Sequence, residues 1–153
     1  MSAEKRLQEL GLSLPQPARP VASYTMAVRT GNLLFLSGHI PADENGDLIT
    51  GQVGADLTVE QAAAAAHRVG LSMLATLRDV LGSLDKVRRI VKVTGLVNAV
   101  DGFTGQPQVV NSFSKLMVEV FGEAGVHARF AGGTSNLPAG VPVEIEAIVE
   151  VAD

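Results

Sequence analysis

HARFAGGTSNLPAGVPVEIEA, residues 127–147, is the stretch on which the reading of the fold turns. Two runs of strand-forming residues flank a loop of Ser, Asn, Pro and Gly, so the segment predicts the two strands that close the chain. Continued to Val151, the second run alternates: Val143, Ile145, Ala147, Val149 and Val151 fall on one face, and Glu144, Glu146, Ile148 and Glu150 on the other. The odd-numbered row is a core face. The first run carries a single arginine, Arg129, and a hairpin pairing about Asn136–Leu137 sets it across from Glu144. That arrangement supports two readings. One is a cross-strand ion pair, worth about 0.2–1 kcal/mol. The other uses what arginine alone offers: a planar fork that binds a carboxylate through two parallel hydrogen bonds and keeps its charge at any physiological pH, with a carboxylate close by to handle a water. Gly132 and Gly133 read either as a bulge or as the place where a ligand approaches the backbone.

Working outward, Gln106 to Phe121 predicts a helix with Val109, Val110, Phe113, Met117 and Val120 inward, and the β-branched run Val87 to Asn98 predicts a strand. Thr58 and Gln61 have capping-box spacing, and Ala62, Ala66, Val69, Met73, Leu74, Leu77 and Leu81 then recur at helical spacing up to Gly82. Tyr24 to Arg29 and Leu33 to His39 predict two strands around a Gly31–Asn32 turn. Residues 3 to 10 predict a short helix stopped at Gly11, after which Pro15, Pro17 and Pro20 force an extended connector, an arm packed on the main body. The expected fold is a single α+β domain of order β-β-α-β-α-β-β, with right-handed crossovers laying both main helices on one face of a mixed sheet. A sheet covered on one side has a second side to bury, and self-association is its expected cover.

Composition narrows the function. Apolar residues are 46% of the 153, the formal charge is −4, and the sequence pI is about 5.3. Nucleic-acid binding draws on many Lys and Arg together, and the one dense basic run, Arg88-Arg89-Ile90-Val91-Lys92, splits its charges between two strand faces. We therefore expect no nucleic-acid partner. The chain has no cysteine, so disulfides, thiolate metal sites and thiol nucleophiles are excluded. The start MSAEKRLQEL has no apolar signal core, and no run approaches the roughly 18 apolar residues of a membrane helix. The expected setting is cytoplasmic, without a membrane partner. No two histidines share a metal-ligand spacing, so no metal is expected.

Residues 24 to 151 resemble the Rid family of reactive-intermediate deaminases, also called YjgF-type, formerly labelled endoribonuclease L-PSP. The segments that carry the resemblance are Tyr24 set before GNLLFLSGHIP, the Asn111 segment VNSFSKLMVEVFG, and Arg129, Leu137-Pro138 and Glu144-Ile145-Glu146-Ala147 at the family's P-A-R…L-P…V-E-I-E-A spacing. The helix and proline connector of residues 1–23 are similar to those of a longer branch of the family, which leaves 24–153 as a Rid-like domain. The resemblance implies a homotrimer of chorismate-mutase-like subunits with clefts between neighbours, and hydrolytic deamination of a small enamine or imine carboxylate, such as 2-aminoacrylate, to a 2-keto acid and ammonia, with no cofactor. It also implies roles: Arg129 holds the substrate carboxylate, backbone groups of Ala131 meet the imine nitrogen, Glu144 positions water, Tyr24 closes the pocket, Asn111 lines it, and Ser37-Gly38 form part of its floor.

This chain departs from the family pattern at several positions. Ala131 stands where many members have Cys, Gly132-Gly133 replace bulkier residues, His39 replaces a common Gln and His127 a common Pro. The two histidines also read as hydrogen-bonded structural residues. Two other functions share these features: a noncatalytic trimer that binds small carboxylates or a protein, and an endoribonuclease. The latter is expected to need a basic stripe or a paired histidine site.

Overall fold

A computed structural model describes residues 2–153. Its main helices start and stop where the sequence provides signals. In α2, Val59–Leu81, the Thr58 side chain accepts from the Gln61 amide while the Gln61 side chain caps the Thr58 amide, and Gly82 closes the helix at φ +80°, a conformation that disfavours any residue with a Cβ. In α3, Gln106–Phe121, Pro107 sits in the first turn, where a missing N–H costs nothing. The inward residues expected for both helices are all buried. The two helices approach closely at Gly70, where a Cβ would stand 2.7 Å from a Leu116 methyl.

Five strands form one sheet: β1 Ala27–Thr30, β2 Leu33–His39, β3 Val87–Asn98, β4 Ala128–Thr134 and β5 Val143–Val151, in the order β1-β2-β5-β3-β4. Only β3 and β4 run parallel, as the α3 crossover between them requires. The odd-numbered residues of β5 are buried under the helices as expected, and the fold is the anticipated α+β architecture. The opposite face is open. Phe35 and Phe130 on it are 42% and 54% exposed, in register with Ile148 and Thr94 respectively. No helix among the described residues is long and apolar enough to cross a membrane.

The expected closing hairpin is absent. β4 and β5 do not form a hairpin, because β3 lies between them and pairs with both. The loop from β4 to β5 straddles the end of β3 instead: the Ala99 amide donates to Thr134 O at 3.0 Å and the Asn98 amide to Pro142 O at 2.8 Å, with Pro138–Gly140 making a 3₁₀ turn between. Nor do Gly132 and Gly133 form a bulge, since the β3–β4 register runs unbroken through them. The bulge is in β2, where Leu36 pairs with Ala147 and His39 with Ile145, leaving Ser37-Gly38 as the irregular step.

That step turns both Leu36 and His39 into the core. His39 is 1% exposed; its Nδ1 lies 2.7 Å from Ser37 O and its Nε2 2.8 Å from Thr76 Oγ1. A carbonyl only accepts, so Nδ1 carries the proton and the Thr76 hydroxyl donates to Nε2. The short α1, Ala3–Glu9, is too brief to persist alone and is held by tertiary bonds. Glu4 accepts from the Arg78 guanidinium and from the Leu84 amide at 2.9 Å, and Arg6 Nε donates to Glu119 O at 3.0 Å. Partial burial raises the Glu4 carboxyl, but the Arg78 and Leu84 hydrogen bonds outweigh it and hold the group below its usual range.

Burial lowers the titration of His39 against the weaker pull of the Ser37 carbonyl. A buried histidine held neutral stabilises the fold above its unfolded pKa of about 6.5, and that stability is lost as the pH falls toward the lowered folded value. We predict that the urea midpoint falls from pH 7 to pH 5 and that His39→Gln makes this decline shallower. An unchanged slope in the variant would show that His39 takes no part.

Candidate functional site

The site residues expected from the sequence gather into two groups. Arg129 lies in β4 in register with Val93, which in turn pairs with Ala147, both core residues, so its side chain stands on the helix side of the sheet. There Nη1 donates to Asn111 Oδ1 at 2.8 Å and to Ser114 Oγ at 3.3 Å. Asn111 and Ser114 are three apart in α3, a spacing that puts both on the helix surface facing the strand. Ser114 is in turn 2.9 Å from His127 Nε2, and His127 Nδ1 is 2.7 Å from Gly125 O. Ala131 and Gly133 follow Arg129 on the same face of β4.

Glu144 belongs to the other group. It pairs with Leu96, itself in register with Gly132, and stands on the open face, one strand removed from β4. Arg129 and Glu144 are therefore on opposite faces, two strand spacings apart laterally and three residues apart along the strands, a backbone separation of roughly 14 Å. The cross-strand ion pair does not form, and Arg129 has no acidic partner among the described residues. Glu144 sits instead over the β2 bulge: a Cβ on Gly38 would stand 2.5 Å from Glu144 Oε1, so only glycine leaves the carboxylate its place. Ser37 ties the bulge to the segment before β1, its Oγ donating to Thr25 O at 2.6 Å and its amide to Met26 O at 2.9 Å. Tyr24, next to Thr25, is 49% exposed at that edge. Tyr24, Ser37, Gly38 and Glu144 thus form one half, and Arg129, Asn111 and Ala131 the other.

The halves cannot close on each other within one chain, because β1 and β4 are opposite edges of the sheet, four strand spacings or roughly 19 Å apart. Beyond Gly133 a cavity of about 670 Å³ opens between the end of β4 and the start of α3, lined by Phe103, Gln106, Thr134 and Ser135 among others. It lies four residues along the strand from Arg129, not at it. Gly133 leaves room for the Gln106 amide, since a Cβ there would stand 2.7 Å from its Nε2, whereas Gly132 makes room for the Phe130 ring on the open face. Sequence reasoning did not single out Ser114; its i+3 spacing from Asn111 was the available signal. His127 and His39 are hydrogen-bonded as the structural reading expected, and the described residues bring together no cluster of three metal-ligating side chains.

Comparison with known proteins agrees with this architecture. Residues 4–143 match the family model described as "YjgF/chorismate_mutase-like, putative endoribonuclease". Protein TCP17 of Trypanosoma cruzi is 43% identical over 146 residues, covering 95% of this chain and 91% of that protein. The structure of Atu1372 from Agrobacterium tumefaciens, a protein described as of unknown function, is 41% identical with a TM-score of 0.89 over 99% of this chain and 94% of that one. A Shewanella oneidensis protein, described by the same last two words as the family, is 30% identical with a TM-score of 0.93 over 99% of this chain and all of that one (100%). The chain belongs to the YjgF family, the Rid proteins whose motifs its sequence carries.

Burial raises the Glu144 carboxyl above the usual glutamate range, and the neighbouring Glu146 charge adds to the effect. Ionising such a group opposes folding, so its contribution is fully present below the unfolded pKa of about 4.3 and is lost as the pH rises through the folded value. Glu144→Gln removes the titration. We predict that the melting temperature of the variant relative to the parent climbs from pH 4 to pH 7; a difference that shrinks over this range would contradict the raised carboxyl.

Proposed function

We propose that the protein is a hydrolytic deaminase of small imino acids of the 2-aminoacrylate type, working as a homotrimer in which the Arg129 half of one subunit meets the Glu144 half of its neighbour. The observation that carries this reading is the state of Arg129. Its Nη1 is spent on Asn111 and Ser114, and its Nε and Nη2 make no hydrogen bond among the described residues. A half-buried guanidinium held by neutral groups keeps its full charge for a visiting carboxylate. The free Nε–Nη2 edge supplies two parallel donors.

In this reaction the enamine tautomerises to the imine, whose carboxylate lies on Arg129. β4 is an edge strand, and the backbone of Ala131 offers hydrogen-bonding groups to the imine nitrogen. Glu144 of the adjoining subunit takes a proton from water as the oxygen adds to the C=N carbon. That proton passes to the nitrogen to give the carbinolamine, whose hydroxyl proton follows by the same route, and ammonia leaves as the C=O of the 2-keto acid forms. A carboxyl raised toward neutrality suits both transfers. The reaction is fast without a catalyst, so orientation and charge suffice and no cofactor is called for.

A noncatalytic carboxylate-binding trimer uses the same Arg129 half, and turnover separates it from the enzyme. The ribonuclease label of the relatives finds less support, because His39 is enclosed between Ser37 and Thr76, His127 is engaged by Ser114 and Gly125, and the formal charge is −4. The test is Arg129→Lys. An ammonium keeps the charge but not the two parallel donors, so the variant should fold normally while turnover of enzymatically generated 2-aminoacrylate falls by about 2–4 kcal/mol of transition-state stabilisation, roughly thirty- to a thousandfold. Parental activity in the lysine variant would remove Arg129 as the clamp.

A further inference from the structure

We infer that Ser114 and His127 are positioning residues that select the edge of the Arg129 guanidinium offered to a carboxylate, and that protonation of His127 loosens this hold. The inference rests on the clamp reading of Arg129 above.

Hydrogen-bond direction follows from the end of the chain of contacts. Gly125 O only accepts, so His127 Nδ1 carries the proton that meets it at 2.7 Å. The neutral ring then has a bare Nε2, and the Ser114 hydroxyl, 2.9 Å away, donates to it. With its proton committed to the ring, Ser114 Oγ turns a lone pair to Arg129 Nη1 at 3.3 Å, while Asn111 Oδ1 takes the second Nη1 proton at 2.8 Å. Both protons of one terminal nitrogen are thereby used. The guanidinium plane is fixed, and the Nε–Nη2 edge is the one left to a ligand.

The direction reverses when His127 is charged. Nε2 becomes a donor, the Ser114 proton loses its acceptor, and a second cation stands beside Arg129. The Phe113 ring meets the imidazole edge-on, with centroids 6.5 Å apart, and contributes no charge. The turn before β4 contributes the Gly125 carbonyl, and Arg129 is the charged group that acts on the ring. Burial favours the neutral ring and outweighs the pull of that carbonyl, and the Arg129 charge adds a smaller push the same way as burial. The relay is therefore set at neutral pH and undone in acid.

The test uses the full chain and pyruvate, a stable 2-keto carboxylate, titrated calorimetrically between pH 8 and pH 5.5. Wild-type affinity should weaken severalfold on acidification, because the ligand is bound best by the state in which His127 is neutral. His127→Gln presents an acceptor that does not titrate, so its affinity, whatever its level at pH 8, should stay flat on acidification. Ser114→Ala should bind about tenfold more weakly at pH 8 and also stay level. A wild-type pH profile in His127→Gln would overturn this inference alone. Pyruvate binding that is absent, or that survives Arg129→Ala, would remove the clamp reading and this inference with it. A readout free of mutation is the ¹⁵N-resolved guanidinium spectrum of Arg129: hindered, separate Nη signals at pH 8 that average at pH 5.5 support the relay, and averaging already at pH 8 contradicts it.

Discussion

The antiparallel β3–β5 ladder is the constraint from which the rest of the site follows. Val93 with Ala147, and Val97 with Val143, are buried pairs at the centre of the sheet, and they fix which residues of every neighbouring strand face the helices. A slip of one residue would turn each of these side chains to the open face, so burial makes the register costly to change. Once it is set, Arg129 is carried to the helix side of the outer strand and Glu144 to the open side of the inner one. Two groups of opposite charge that sequence proximity would pair are thus kept apart by a packed strand. Arg129 is left without a carboxylate of its own, and the burial of Glu144 is relieved by no cation.

Each half is then built by local means. On one side, a helix spacing of three presents Asn111 and Ser114 to one guanidinium nitrogen. On the other, an irregular step at Ser37-Gly38 removes a Cβ beneath the Glu144 carboxylate and draws the segment after Tyr24 against β2. The exposed Phe35 and Phe130 on the open face add a reason for a second copy to cover it. Because Tyr24 and Arg129 occupy opposite edges, a cleft that uses both must be formed between subunits.

Much of this was legible in the sequence, and the parts that were not share a cause. Helix limits could be read because Thr58, Gln61 and Gly82 act on their own neighbours, and the inward rows of α2, α3 and β5 because periodicity is a local property. Strand partnership is not local. The loop Asn136-Leu137-Pro138-Ala139-Gly140 suits a hairpin and equally suits a bridge across the end of β3, and nothing within residues 127–147 distinguishes the two. The α3 crossover does, since it lays β4 parallel to β3 and leaves β5 to pair on the far side. The bulge was sought at Gly132-Gly133, where two glycines stand together, and lies at Gly38, where the space is claimed by a side chain 106 residues further on. Ser114 escaped for the same reason, its meaning residing in partners on another element.

The central claim is that one working site takes Arg129 from one subunit and Glu144 from the next, and co-assembly tests it most directly. Arg129→Ala and Glu144→Gln chains are co-expressed in equal amounts with different tags, and deamination is measured on the purified mixture against each variant alone. In a cyclic trimer every mixed assembly contains one interface with both native residues, so random mixing should restore roughly a quarter of wild-type turnover although each parent variant is nearly inactive. A mixture no more active than the mean of the two variants, with mixed trimers confirmed by the tags, would contradict the account.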